Sequence, residues 1–153
     1  MTDLLVKLYE LTGTPSEISG IDIRRPMPHE KETVKRWIAA TFFEAWGEEF
    51  DCSFKSFPVT SFIALRNDKI VGFACYDVTC RGYFGPTGVL ESERGKGIGK
   101  ELLLRSMFGL RELGYAYAII GGAGSVDFYV KILGAVLIPG SSPGIYPKSL
   151  SGE

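Results

Sequence analysis

The sequence contains few of the residues that metal sites and histidine-dependent catalysis require. Of its 153 residues, one is histidine and three are cysteine. His29 precedes a predicted helix, so we interpret it as a surface or capping residue and expect no Ser-His or Cys-His nucleophile. Cys52, Cys75 and Cys80 lack metal-ligand spacing, so no metal is expected. Such a sparse, odd number of cysteines favours a reduced, cytoplasmic setting.

An excess of charge of one sign and a long apolar run are also missing. The chain has 17 Lys and Arg against 18 Asp and Glu, a balance that disfavours a general nucleic-acid binder. No apolar run approaches the roughly 20 residues that span a bilayer. Residues 1–7 lack a basic segment followed by an apolar signal core. We therefore expect neither nucleic acid nor membrane as a partner.

Glycine is plentiful, and several glycines lie in the basic segment Arg94-Gly-Lys-Gly-Ile-Gly-Lys100. A strand-like segment precedes it, and an amphipathic helix to about Leu113 follows, with Glu101 on its water-facing side. Free N–H groups and the dipole at a helix N-terminus favour anions, and glycine permits turns that aim these groups at one point. The pattern predicts a phosphate site, or alternatively a tight strand-to-helix turn. The predicted phosphate-binding residues are Arg94, Gly95, Lys96, Gly97, Ile98, Gly99 and Lys100.

Two nucleotide-binding motifs do not fit this segment. A dinucleotide fingerprint that starts at Gly97 requires glycine at Leu102, and one that starts at Gly95 requires glycine at Lys100. A P-loop requires Ser or Thr after Gly-Lys, where this chain has Glu101. The pattern that fits is Arg-x-x-Gly-x-Gly.

Two blocks of the sequence resemble the GNAT superfamily of N-acyltransferases. Arg94–Leu103 resembles the acyl-CoA pyrophosphate loop of that family, and Val89 matches the apolar residue at the end of its fourth strand. Phe128-Tyr-Val-Lys131, followed by Gly134-Ala135, resembles its Phe-Tyr-x-Lys-x-x-Gly signature. The resemblance covers roughly residues 61–138, with a looser match in the amino-terminal third.

The resemblance implies a mixed α/β fold with a mostly antiparallel central sheet of about six to seven strands and helices on both faces. It also implies a splay between the fourth and fifth strands, which correspond to Tyr83–Leu90 and Tyr115–Gly121. The order of the predicted elements agrees with this layout. We expect residues 1–20 as an extension packed on a single acyltransferase domain of residues 21–153.

Further elements are predicted from the residue pattern itself. Apolar residues at helical spacing predict one helix from about Glu30 to Ala45. Residues 62–78 indicate a hairpin, and residues 4–11 are compatible with a strand or a short helix. Proline and glycine in Gly85–Gly88 predict a bulge in the strand over residues 83–90. A last short strand is expected near Ile145.

The implied reaction is transfer of an acetyl group from acetyl-CoA to a primary amine of a small molecule or protein, by direct attack in a ternary complex. Tyr129 would be the general acid that faces the CoA sulfur, and the backbone N–H of Val89 would bind the thioester oxygen. The CoA contacts would come from Val89, Arg94–Lys100 and Tyr129. No metal takes part in this scheme.

The general base is not identified by this resemblance. Relatives often place a carboxylate on the fourth strand, and residues 81–90 contain none. Residues 43–51 would line the acceptor site or form an ordinary helix end. The acidic candidates by topology are Glu44, Glu48, Glu49 and Asp77.

A second departure concerns the CoA arm. Many relatives carry an asparagine that bonds the pantetheine arm about seven residues before the tyrosine, where this chain has Gly122. The missing strand carboxylate leaves a non-catalytic acyl-CoA-binding regulatory module as the alternative function, and a nucleotide-binding α/β domain is a third. The acceptor is not specified by the sequence, and no residue specifies the homodimer that relatives often form.

Overall fold

A mixed β-sheet forms the framework of this protein. The computed structural model describes residues 1–146 and 150. Within them the strands are Thr2–Lys7 (β1), Asp22–Arg24 (β2), Ser61–Arg66 (β3), Lys69–Tyr76 (β4), Tyr83–Val89 (β5), Tyr117–Ala123 (β6) and Val136–Leu137 (β7). The sheet order is β2-β3-β4-β5-β6-β1-β7, with β5 and β6 parallel and the other neighbours antiparallel. The prediction of a mostly antiparallel sheet is confirmed.

Helices cover both faces of this sheet. They are Lys31–Thr41 (α1), Glu44–Asp51 (α2), Ile98–Glu112 (α3) and Val126–Leu133 (α4). Successive side chains of a strand point to opposite faces. In β3, accordingly, Phe62 and Ala64 join the core beneath α3, while Ile63 and Leu65 join the core beneath α1 and α2. Within residues 1–146, no helix is both long enough and apolar enough to cross a membrane.

The prediction of one helix from Glu30 to Ala45 is wrong at its carboxyl end. The helix α1 ends at Thr41, Phe42 leaves helical geometry with φ −121° and ψ −91°, and α2 begins at Glu44. The Phe42 ring packs on Gly88 of β5 so closely that a Cβ atom there would lie 2.6 Å from it. This tertiary contact accompanies the break and brings α2 beside β5.

The amino-terminal segment contributes a strand to the sheet. Strand β1 lies between β6 and β7, and a 3-10 turn over Leu8–Glu10 follows it, so residues 4–11 contain both of the structures that the sequence left open. Further along, the Ser16 N–H and hydroxyl donate to the Glu101 carboxylate at 2.6 and 2.9 Å. The expectation that Glu101 faces water is wrong, because this segment covers it and leaves it 4% exposed. The division of the chain at residue 20 stays a prediction.

The predicted hairpin and the predicted carboxyl-terminal strand have different outcomes. The β3–β4 hairpin is confirmed, and its turn residues Asn67 and Asp68 have φ of 50° and 62°, as a type I′ turn requires. The strand expected near Ile145 and Tyr146 is wrong, since Ile145 forms a turn with Gly144, where φ is 76°, and Tyr146 has no regular secondary structure. Pro143 removes a backbone N–H just before that turn.

Candidate active site

A cleft opens where β5 separates from β6. These strands pair only at Tyr83 with Ile119 and Phe84 with Ile120, and they diverge beyond that point. The register of β5 against β4 shifts in the same region, and Gly85 has a φ of 115°, a backbone conformation that favours glycine. The predicted bulge and splay are therefore confirmed.

The cleft has a volume of about 600 Å³ and is walled by β5, β6 and the first turns of α3 and α4. Of the predicted site residues, the structure brings four to its walls: Val89, Arg94, Gly99 and Tyr129. The others lie in the loop that leads into α3 and do not line the cleft: Gly95, Lys96, Gly97, Ile98 and Lys100. The sequence predicted that all of residues 94–100 bind the phosphate, and only part of this segment lines the cleft.

The loop before α3 has the geometry of an exposed helix N-terminus. Gly95 and Gly97 have φ of 79° and 87°, and the helix begins at Ile98, whose side chain is buried and anchors the turn. Lys96 is paired with Glu93 at 3.0 Å, and Glu93 also accepts from Arg66 at 2.8 Å. The two cations lower the pKa of the Glu93 carboxyl. The first N–H groups of α3 have no partner within the helix and can bind an anion.

The backbone of Val89 faces the cleft. The Leu90 N–H donates to the Val71 carbonyl at 2.8 Å, so Leu90 is hydrogen-bonded to β4. Backbone groups along an antiparallel strand alternate in direction, and those of Val89, opposite Gly72, therefore point away from β4. Because β6 has already diverged, the N–H of Val89 faces the space between the strands. This direction is compatible with the predicted role, which stays a prediction.

Tyr129 lies on the cleft wall formed by α4. Its half-buried ring contacts Phe84 and Phe128 edge to face, with ring centroids 6.3 and 5.2 Å away. Burial raises the pKa of its phenol, which is therefore protonated at neutral pH. Among the described side chains, none forms a hydrogen bond with its hydroxyl, which is free to donate to a ligand in the cleft. The general-acid role itself is a prediction.

Tyr146 occupies the space beside Gly122, where the resemblance led us to expect asparagine. A Cβ atom at Gly121 would lie 2.7 Å from the Tyr146 hydroxyl, and one at Gly122 would lie 3.3 Å from its ring. The Gly122 N–H donates to Asp3 of β1 at 2.9 Å. Tyr146 was not among the predicted site residues, because no local sequence pattern links it to β6.

The four acidic candidates have different surroundings. Asp77 accepts from the Gly82 N–H at 2.7 Å and the Tyr115 hydroxyl at 2.8 Å, so it holds the β4–β5 connection together. Glu44 and Glu48 are exposed on α2. Glu49 is half-buried and lines a second cavity, of about 300 Å³, that adjoins the cleft. Of the four, it is the carboxylate that the structure places at the site.

Comparisons with known proteins agree with this fold. A family model described as the acetyltransferase (GNAT) family matches residues 27–135. Among solved structures, the chain is similar to a GCN5-related N-acetyltransferase from Sphaerobacter thermophilus, with a TM-score of 0.70 and 22% identity over 90% of this chain and 48% of that one. It is also similar to a GNAT family acetyltransferase from Brucella melitensis in complex with acetyl-CoA, with a TM-score of 0.58 and 19% identity over 87% and 93%.

A third similar structure is the glucosamine N-acetyltransferase region of a fungal multi-domain GH3 β-N-acetylglucosaminidase, with a TM-score of 0.72 and 17% identity over 90% of this chain and 19% of that one. The chain thus spans less than half of two of these three relatives. A search of curated proteins finds no match. At these identities the structures establish a shared fold, and the family model covers most of the chain. The protein belongs to the GNAT family of acetyltransferases.

Proposed function

We propose that this protein is an N-acetyltransferase that moves the acetyl group of acetyl-CoA to a primary amine by direct attack in a ternary complex. The observation that supports this most strongly is a single cleft that reaches Arg94 and Gly99 at the start of α3 and has the Tyr129 phenol on its wall. An anion site and a proton donor therefore share one space between β5 and β6.

The residues present fit the shape and charge of acetyl-CoA. The diphosphate would bind the free N–H groups at the start of α3, where Gly95 and Gly97 carry no Cβ atom to obstruct it. The exposed Arg94 side chain is available there as a cation, although its Nε also donates to the Val89 carbonyl at 3.3 Å. The pantetheine arm would follow the edge of β5 that β6 leaves unpaired.

In the proposed reaction the amine nitrogen attacks the thioester carbon, the C–S bond breaks, and its electron pair goes to sulfur. Starting from an ammonium, nitrogen loses two protons in each turnover. One of these protons restores the phenol of Tyr129 after Tyr129 has protonated the sulfur, and the other goes to water. The raised pKa of Tyr129 keeps the phenol protonated and able to donate. The N–H of Val89 would bind the carbonyl oxygen as it gains negative charge, an interaction worth about 2.7–4 kcal/mol in other enzymes.

Two measurements test this proposal: binding of acetyl-CoA, and release of CoA from acetyl-CoA in the presence of each of a panel of primary amines. We expect acetyl-CoA and CoA to raise the melting temperature, ATP and NAD to have no such effect, and free thiol to appear with at least one amine. Binding of acetyl-CoA without thiol release on any amine would identify the non-catalytic binding module instead. Absence of binding would overturn both functions.

A further inference from the structure

The second cavity lies directly beside the cleft and shares its walls. Both spaces are lined by the β5 segment Phe84–Pro86 and by Gly121 and Gly122 of β6, so a molecule in the second cavity reaches the point where the strands part. Trp46 also lines both cavities. An acceptor bound here would approach the thioester from the side opposite the anion site at α3.

A single charged side chain, the carboxylate of Glu49, lines this cavity among the described residues. Its Oε1 accepts a hydrogen bond from the Thr79 hydroxyl, which holds the carboxylate in place. Among the described residues, no lysine or arginine lies within 4.0 Å of Glu49. By contrast, the neighbouring Glu48 is paired with Lys35 at 3.3 Å. Glu49 therefore presents an oriented negative charge without a cationic neighbour.

The remaining walls are mostly apolar and aromatic. Trp46, Phe84 and Pro86 line one part, and Tyr146 lines another. Burial and the nearby Glu49 carboxylate raise the pKa of the Tyr146 phenol, so Tyr146 is neutral at physiological pH. Aromatic faces attract organic cations, and apolar walls favour an apolar substituent. A volume of about 300 Å³ is at the small end of the range for small-molecule sites.

We infer that this cavity is the acceptor subsite, and that it selects a small primary amine on an apolar body whose ammonium is bound by Glu49. The inference rests on the proposed acetyl transfer. A substrate with its own carboxylate beside the amine would be repelled by Glu49, and among the described lining residues only the α-amino group of Met1 could oppose that repulsion. The site thus discriminates between an amine and the corresponding amino acid by charge.

The test compares 2-phenylethylamine with phenylalanine, which carry the same ring and amine and differ by the carboxylate. With acetyl-CoA saturating, we expect a kcat/KM at least about tenfold higher for 2-phenylethylamine, the effect of one charge contact of about 1.4 kcal/mol. In Glu49→Gln this preference should fall several-fold through a higher amine KM, while the acetyl-CoA KM is unchanged. Glu48→Gln, which removes the same charge one residue away, should keep the preference.

The outcomes separate this inference from the proposed function. If acetyl-CoA does not bind, the proposed function itself fails. Two results overturn the acceptor inference if acetyl-CoA binds. One is a kcat/KM for phenylalanine or a lysine-containing peptide equal to that for 2-phenylethylamine. The other is that 2-phenylethylamine neither binds nor reacts. The wild-type preference decides the matter even if Glu49→Gln does not fold. Where the variant folds, an unchanged preference also contradicts the role of Glu49.

Discussion

Tyr146 packs against the backbone of Gly121 so closely that a Cβ atom on Gly121 would lie 2.7 Å from the Tyr146 hydroxyl. The same atom would lie 3.0 Å from the Tyr83 ring. Both tyrosines stand over a strand that would normally carry side chains on that face. The contact joins the carboxyl-terminal turn to β6 and forms part of the wall of the second cavity.

Gly121→Ala should therefore destabilise the protein by about 1–3 kcal/mol, as overpacking of a tight contact does. An alanine in a strand is otherwise favoured over glycine, because it loses less backbone entropy on folding. A lower free energy of unfolding in Gly121→Ala would therefore be due to the clash with Tyr146 and Tyr83. Urea unfolding measures it, and Gly124→Ala, where no atom lies within 4 Å of the new Cβ, is the control. Equal stability of the two variants would contradict the observed packing.

Tyr129→Phe should lower kcat by roughly 10²–10⁴-fold, the usual contribution of general acid–base catalysis. The Kd for acetyl-CoA should change little, because the ring and its contact with Phe84 remain. Burial raises the pKa of Tyr129, so the wild-type enzyme should not lose activity through this group until the pH exceeds about 10. Steady-state kinetics across pH check this, with the exposed Tyr9→Phe as control. Unchanged turnover in Tyr129→Phe would remove the acid role.

Gly97→Ala should weaken acetyl-CoA binding. Residue 97 has a φ of 87°, which costs an L-residue roughly 1–2 kcal/mol, and relief of that strain would redirect the first N–H groups of α3. Gly114→Ala is a matched control at the other end of the same helix, where φ is 100° and a Cβ atom meets nothing within 4 Å. Calorimetry should show a higher Kd for Gly97→Ala alone, although both variants lose stability. Equal Kd values would place the diphosphate elsewhere.

The ion pair between Arg24 and Glu30 should make stability depend on acid pH. Two hydrogen bonds of 2.8 Å join them, and the pair lowers the pKa of Glu30 to about 2. A carboxyl with a lowered pKa stabilises the fold above its unfolded pKa of about 4.5, and this contribution disappears as pH falls from there towards 2. Because both side chains are partly exposed, we expect about 1 kcal/mol.

Urea unfolding of Glu30→Gln at pH 7 and pH 3 measures this contribution. The variant should be less stable than wild type at pH 7, and the difference should shrink at pH 3. Asp22→Asn is the control, since Asp22 is 68% exposed and lies 3.8 Å from Arg24. A difference between Glu30→Gln and wild type that is the same at both pH values would contradict the assignment.

Features that depend on residues close in sequence were predicted well. The glycine turn before α3 is one example: Gly95 and Gly97 adopt positive φ directly before the helix, and residues 95–98 contain that signal, while the anion-binding role stays a prediction. The β3–β4 hairpin likewise follows from two turn residues between alternating strands. In the bulged strand, Pro86 and its flanking glycines disfavour continuous pairing whatever lies beside them.

Predictions failed where distant residues decide the outcome. The helix predicted over Glu30–Ala45 breaks where Phe42 packs on Gly88, and Glu101 is buried because Ser16 covers it. The helical periodicity of a segment carries no information about distant partners such as Gly88 and Ser16. The same reason explains why Glu49 stood equal to three other acidic residues in the sequence: its cavity exists only because α2 packs beside β5.

The amino-acid sequence by itself determined the family, the glycine loop at the start of α3 and the position of Tyr129 in its signature, because local backbone preferences and short motifs specify them. Tertiary structure alone decided that β1 lies between β6 and β7, that Tyr146 fills the space beside Gly121, and that Glu49 faces a cavity. Each of these depends on packing between residues far apart in the chain, whose free energy exists only once the sheet has formed.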